Sequence, residues 1–71
     1  MKRIDLIRII YKKAKDSGIH TVYFVESKKH TRCYIGCSST SIGRHRQIRD
    51  IDLRSIMKDL EPELGAKWLE L

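Results

Sequence analysis

The fold is decided by residues 21–43, which read TVYFVESKKHTRCYIGCSSTSIG. Segments of this stretch are rich in β-branched and aromatic residues, as is typical of short strands. The predicted strands cover about 21–26, 30–35 and 39–42. Between them, Ser27-Lys28-Lys29 is a polar turn and Gly36-Cys37 favours a tight reversal. The stretch therefore predicts a three-stranded antiparallel meander.

A first amphipathic helix is predicted before the meander, over about residues 3–16. Its apolar residues recur at helical spacing. The stripe consists of Ile4, Ile7, Tyr11 and Ala14, widened by Leu6, Ile9 and Ile10. Gly18 follows, and we expect it to be the left-handed residue that ends this helix.

A second helix is predicted after the meander, over about residues 51–61, from the stripe Leu53, Ile56, Met57 and Leu60. We expect Asp50 or Asp52 to cap its start and Pro62 to end it near Glu61. In the tail 62–71, one more helical turn would dock the indole of Trp68, flanked by Leu64 and Leu69, on the core or on a partner.

Together these patterns predict a single α+β domain over residues 1–71, in the order helix, three strands, helix. Two helices would cover one face of the sheet and leave the other face open. With 71 residues, the chain is near the lower limit for a self-sufficient core, so we expect a partner or self-association to add stability.

The positive charge is concentrated in residues 27–49. The whole chain carries a formal net charge of +6, and this stretch holds no Asp or Glu. Its basic residues are Lys28, Lys29, Arg32, Arg44, Arg46 and Arg49, with two histidines, His30 and His45. Such a segregated basic surface favours a polyanionic partner, and nucleic acid in particular, because the cluster lies outside the amphipathic helices.

The remaining composition narrows the class of protein. No apolar run approaches the length of a membrane span, and the N-terminus does not resemble a signal peptide, so the expected location is the cytoplasm. Cys33 and Cys37 are too few and too close together for a disulfide framework. Their spacing also lacks the usual zinc pattern, so no metal site and no cofactor is predicted.

Several segments, in order and without gaps, resemble the HicA-like mRNA interferase toxins of bacterial toxin–antitoxin pairs. Gly43-Arg44-His45-Arg46-Gln47-Ile48 is similar to a recurrent element before the family's last helix. The other similar segments are residues 1–7, 22–30, 53–61 and 65–68.

The resemblance implies a fold like the double-stranded RNA-binding domain. It also implies metal-independent ribonuclease activity, with His30 as the catalytic general acid or base and a HicB-like antitoxin as partner. Imidazole suits this role because its ordinary pKa lies near neutral pH. The expected RNA-binding residues are Lys28, Lys29, Arg32, Arg44, His45 and Arg46. His45 is also the candidate for a second proton-transfer group.

Two other interpretations of the basic surface stay open. The same basic surface could belong to a non-catalytic RNA-binding module similar to the double-stranded RNA-binding domain. It could instead belong to a protein-interaction subunit whose basic face docks an acidic partner. HicA-like toxins commonly carry a glycine in the turn before the histidine. The turn Ser27-Lys28-Lys29-His30 has none, which favours the non-catalytic RNA-binding module.

Overall fold

The computed structural model describes residues 1–69, in which two helices and three strands form one α+β domain. The elements are α1 (Arg3–Asp16), β1 (Val22–Glu26), β2 (His30–Ile35), β3 (Ser38–Gly43) and α2 (Asp50–Leu64). The strands pair antiparallel in the spatial order β1-β2-β3. The predicted fold class and element order are confirmed.

The core lies between the helices and one face of the sheet. Cys33 and Ile35 of β2 and Ile42 of β3 point into it, because alternate residues of a strand face the same side. Leu6 and Ile10 of α1 meet them there. The α2 residues in the same cluster are Leu53, Ile56 and Leu60.

The stripe of α1 that faces the core differs from the predicted one. Leu6, Ile10 and Ala14 are buried, whereas Ile4 and Tyr11 are about half exposed, at 54% and 50%. Both sets have helical spacing, so the periodicity alone does not decide which side of the helix is covered. The predicted end of α1 is confirmed.

That end is a Schellman motif around Gly18. Gly18 has a φ of 72° and donates its N–H to the carbonyl of Lys15 at 3.0 Å. The N–H of Ile19 reaches back to the carbonyl of Ala14 at 2.9 Å. These two bonds satisfy carbonyls that would otherwise lack a partner.

The β2–β3 turn is fastened to the end of α2. Gly36 takes a φ of 55°, the conformation that favours glycine. The N–H of the next residue, Cys37, donates to Oε1 of Glu63 at 3.0 Å. A tight reversal was expected at these two residues, and β3 extends one residue further at each end than predicted.

Helix α2 confirms its predicted apolar stripe but differs from the prediction at both ends. Arg49 occupies the N-cap without a side-chain hydrogen bond, so neither Asp50 nor Asp52 caps the helix. Both aspartates lie in the first turn instead, where the helix dipole favours a negative charge.

The helix also continues through Pro62 to Leu64. A proline here removes only one N–H, close to the end of the helix. Two contacts of this last part of the helix offset that loss. Glu63 accepts a hydrogen bond from the β2–β3 turn, and the indole of Trp68 donates to the carbonyl of Met57 at 2.8 Å. The expected end near Glu61 is therefore wrong.

After α2, residues 65–69 pack on the core and form no further helical turn. Gly65, with a φ of 92°, ends α2. A turn at Ala66 and Lys67 then carries Trp68 and Leu69 into the core, where both are buried. The expected docking of the indole is confirmed, and the last two residues of the predicted tail, 70 and 71, lie outside the described residues.

Within residues 1–69, no helix is both long and apolar enough to cross a membrane.

Candidate active site

A groove of about 480 Å³ runs between the edge strand β3 and helix α2, and we call it the β3–α2 groove. The residues that line it come from the β1–β2 turn, strands β2 and β3, the loop after β3 and one side of α2. Its ionisable lining residues are Lys29, His30, Arg32, His45, Arg49, Asp52 and Asp59. Four of the seven predicted site residues thus share one groove.

His30 is the first residue of β2, and it pairs with Gly43 across the β2–β3 ladder. Its position is fixed by the preceding turn, because both the N–H and the hydroxyl of Ser27 donate to the His30 carbonyl, at 2.9 and 2.8 Å. The His30 N–H lies 3.2 Å from the same serine oxygen. A serine-closed turn therefore presents the imidazole without requiring a glycine before it.

His45 reaches the same groove from the loop that follows β3. Its ring lies beside Gly43, with Cδ2 at 3.7 Å from the point where a Cβ on that glycine would stand. Because Gly43 is also the cross-strand partner of His30, the two imidazoles are placed around one backbone position. The groove thus offers two imidazoles, the side chain that most often serves as a general acid or base.

Lys29 and Arg32 supply positive charge beside these imidazoles. The guanidinium of Arg32 is held across β3 by two serines, with Nη1 at 2.7 Å from Ser41 Oγ and Nη2 at 3.0 Å from Ser39 Oγ. Lys28 is exposed but does not line the groove. Of the two turn lysines, the structure brings only Lys29 to His30.

Arg44 and Arg46 lie elsewhere. They line a separate pocket of about 580 Å³, together with Lys2 and Arg3 at the start of α1. Arg44 also forms an ion pair with Glu26, at 2.7 Å from Nη1 to Oε2, and donates to the Ser27 carbonyl at 2.9 Å. Of residues 44–46, all of which are expected to bind RNA, only His45 therefore lines the β3–α2 groove.

Glu26 is the centre of a polar network that joins α1, the β1–β2 turn and the loop after β3. Its carboxylate accepts a hydrogen bond from the buried hydroxyl of Thr31, at 2.9 Å to Oε2. Arg3 donates to Thr31 Oγ1 and to the Gly43 carbonyl. These bonds fix the start of β2, which carries His30, and the end of β3, after which the loop with His45 begins.

The site residues predicted from the acid-free stretch 27–49 do not include two acids that line the groove. Asp52 and Asp59 reach the groove from α2. Asp52 pairs with Arg49 at 3.1 Å, and Asp59 accepts a 2.8 Å hydrogen bond from the buried Thr40. The spacing of residues 52, 55 and 59 could have revealed both acids, because it places these polar residues on one side of the helix, beside its apolar stripe.

The cysteines take no part in this site. Cys33 is fully buried and Cys37 is exposed, and both are free thiols. Burial raises the pKa of the Cys33 thiol to about 11, which keeps it protonated and unreactive at neutral pH. Among residues 1–69, no three His, Cys, Asp or Glu side chains come together as a metal ion requires.

Comparison of the chain with protein-family models, curated proteins and solved structures finds no match.

Proposed function

We propose that this protein is a metal-independent endoribonuclease that binds and cleaves RNA in the β3–α2 groove. The observation that carries the proposal is the placement of His30 and His45 around Gly43, with Lys29 and Arg32 in the same groove. Two imidazoles and two cations are the groups that phosphodiester transfer needs when no metal ion takes part.

The proposed reaction is an attack of the ribose 2′-hydroxyl on the adjacent phosphorus. One imidazole takes the proton from that hydroxyl as the new P–O bond forms. The other gives a proton to the 5′-oxygen as the old P–O bond breaks. The products are a 2′,3′-cyclic phosphate and a 5′-hydroxyl, so the reaction balances without a further reactant.

The cations act on the phosphate. Lys29 and Arg32 would stabilise the charge that builds up on the non-bridging oxygens as phosphorus becomes five-coordinate. Arg32 is well suited to this role because two serine hydroxyls already hold its guanidinium in place. The chain's net charge of +6 also draws the RNA towards the surface.

The biological setting that we propose comes from the sequence resemblance. A HicA-like toxin would act on mRNA in the cytoplasm and would be neutralised by a HicB-like antitoxin that covers the basic groove. The small core agrees with stabilisation by such a partner or by a homodimer. The α-β-β-β-α order agrees with the fold that this resemblance implies.

The decisive experiment incubates purified protein with a labelled RNA in excess chelator and analyses the products. We expect shorter fragments that end in 2′,3′-cyclic phosphate. A shifted band without fragments would replace this proposal with the non-catalytic RNA-binding module. If the RNA neither shifts nor shortens, the protein-interaction subunit takes its place.

A second experiment addresses the toxin role. Expression of the chain in bacteria should arrest growth, and co-expression of a neighbouring open reading frame should relieve the arrest. Growth unaffected by the parent protein, at a level where it cleaves RNA in vitro, would rule out the toxin role while leaving the ribonuclease intact.

A further inference from the structure

The sheet face opposite the helices carries its own set of side chains, and we call it the open face. The strand register assigns these residues, because alternate positions of paired strands share a side. The open face consists of Tyr23, Val25, His30, Arg32, Tyr34, Ser39 and Ser41. No element within residues 1–69 packs over it.

Two tyrosines form the aromatic part of the open face. Tyr23 and Tyr34 are cross-strand partners, and their rings stack with centroids 4.9 Å apart and planes 15° from parallel. Tyr23 remains 51% exposed. Neither ring belongs to the core cluster. The pair thus presents an ordered aromatic surface to solvent.

The charge of this face is positive. Arg32 lies across β3 on Ser39 and Ser41, next to the tyrosine pair along the same strands. Among the residues assigned to the face there is no Asp or Glu. Aromatic rings beside a cation, without nearby acids, are the features that bind unpaired nucleotides: the bases stack and the phosphates pair with the cation.

The open face is continuous with the β3–α2 groove. His30, Arg32 and Ser41 belong to both surfaces. Along β2, His30, Arg32 and Tyr34 succeed one another at alternate positions, which spaces them by about 7 Å each. A strand of RNA that leaves the groove over Arg32 therefore arrives at the tyrosines.

We propose that the open face is a stacking platform for single-stranded RNA, which places one or two bases against Tyr23 and Tyr34. The inference rests on the proposed function and specifies its substrate class. Bases in a duplex are already stacked and hide their faces, whereas unpaired bases expose them. The platform therefore selects single strands over duplexes.

The test measures binding of the full chain to two fluorescent RNAs of equal length, one single-stranded and one duplex. Both carry 2′-O-methyl riboses, which lack the nucleophile and resist cleavage. Tyr23→Ala and Tyr34→Ala should each weaken single-strand binding by roughly five- to one-hundredfold, as expected for the loss of one stacked base. Duplex binding should change less than twofold.

The matched control is Tyr11→Ala, because Tyr11 is 50% exposed but lies on α1, away from the open face. It should leave both affinities unchanged. Tyr23→Phe keeps the ring and should bind single strands like the parent. A second measurement uses the unaltered protein: 2-aminopurine placed in the single strand should lose fluorescence when it stacks on a tyrosine.

The outcomes separate the two proposals. Single-strand binding that survives both Tyr→Ala changes, with no quenching of 2-aminopurine, overturns the platform and leaves the ribonuclease standing. Equal losses for single strand and duplex also overturn it, because the tyrosines would then not distinguish unpaired bases from paired ones. If the parent binds neither RNA, both proposals fail.

Discussion

The carboxylate of Glu26 holds Arg44 by an ion pair of 2.7 Å, although their positions are eighteen residues apart in the chain. The same carboxylate accepts a hydrogen bond from the hydroxyl of Thr31, a residue that is completely buried. The end of β1 thus fixes both the start of β2, where His30 lies, and the loop that carries His45.

Replacing Glu26 with alanine should therefore destabilise the fold. The change leaves the buried Thr31 hydroxyl without its acceptor and should lower the free energy of unfolding by about 1–3 kcal/mol. Glu26→Gln keeps an acceptor and should cost less than about 1 kcal/mol. Asp16→Ala, at an exposed helix end, is the control in urea unfolding. Equal stability of Glu26→Ala and this control would contradict the network.

The two turn lysines should differ in their contribution to RNA binding. Lys29 lines the β3–α2 groove and Lys28 does not. Lys29→Ala should lower the slope of log affinity against log salt concentration by about 0.7, the value for one phosphate contact on a single strand. Lys28→Ala should change it less. A larger effect from Lys28 would mean that the RNA follows another path.

Cys33 should make stability depend on pH under alkaline conditions. Burial raises its pKa in the folded state to about 11, above the ordinary value of 9.0. The contribution of the buried, protonated thiol to the free energy of unfolding is therefore fully present below pH 9. It is lost as the pH rises towards 11, on the order of 2 kcal/mol in total. The measurement compares urea unfolding of the parent and Cys33→Ala over this interval.

Relative to that variant, the parent should lose stability between pH 9 and 11. A constant difference would contradict the burial argument. The same burial predicts that alkylation of the native protein modifies Cys37 before Cys33, because only Cys37 is exposed. Peptide mass spectrometry distinguishes the two sites.

Gly36 should tolerate alanine less well than Gly18. Both glycines have a positive φ, so each change should cost about 1 kcal/mol in backbone strain. At Gly36 the new Cβ would also stand 2.7 Å from the Glu63 carboxylate, whereas nothing lies within 4 Å at Gly18. The carboxylate would have to move and would lose its bond to Cys37, which adds about 0.5–1.5 kcal/mol.

A double-mutant comparison isolates this contact. In a Glu63→Ala background, Gly36→Ala should cost no more than Gly18→Ala does in the parent. If its cost stays the same in both backgrounds, the turn is not fastened by Glu63.

The sequence was sufficient for the fold because its strongest signals are local. The β-branched segments, the stripe of α2 and the position of Gly18 each depend on neighbours within a few residues. Tertiary contacts decided the rest. Helix α1 has apolar residues on more than one side, and α2 passes through Pro62 because Trp68 and Glu63 hold its last turn.

The site was predictable only in part, for a related reason. His30, Lys29 and Arg32 lie close together in sequence and stay together in space. Arg44, also expected to bind RNA, lines a separate pocket and pairs with Glu26 of β1, a contact that no local pattern reveals. A long-range ion pair of this kind depends on the strand register.

The most direct test of the central claim is the cleavage rate of RNA in excess chelator for three histidine variants. His30→Ala and His45→Ala should each lose about 10²–10⁴-fold in rate, the usual contribution of one acid–base group. His20→Ala is the matched control, since His20 is exposed but lies outside the β3–α2 groove. It should cleave like the parent. Rates for His30→Ala and His45→Ala equal to that of His20→Ala would contradict proton transfer by this pair.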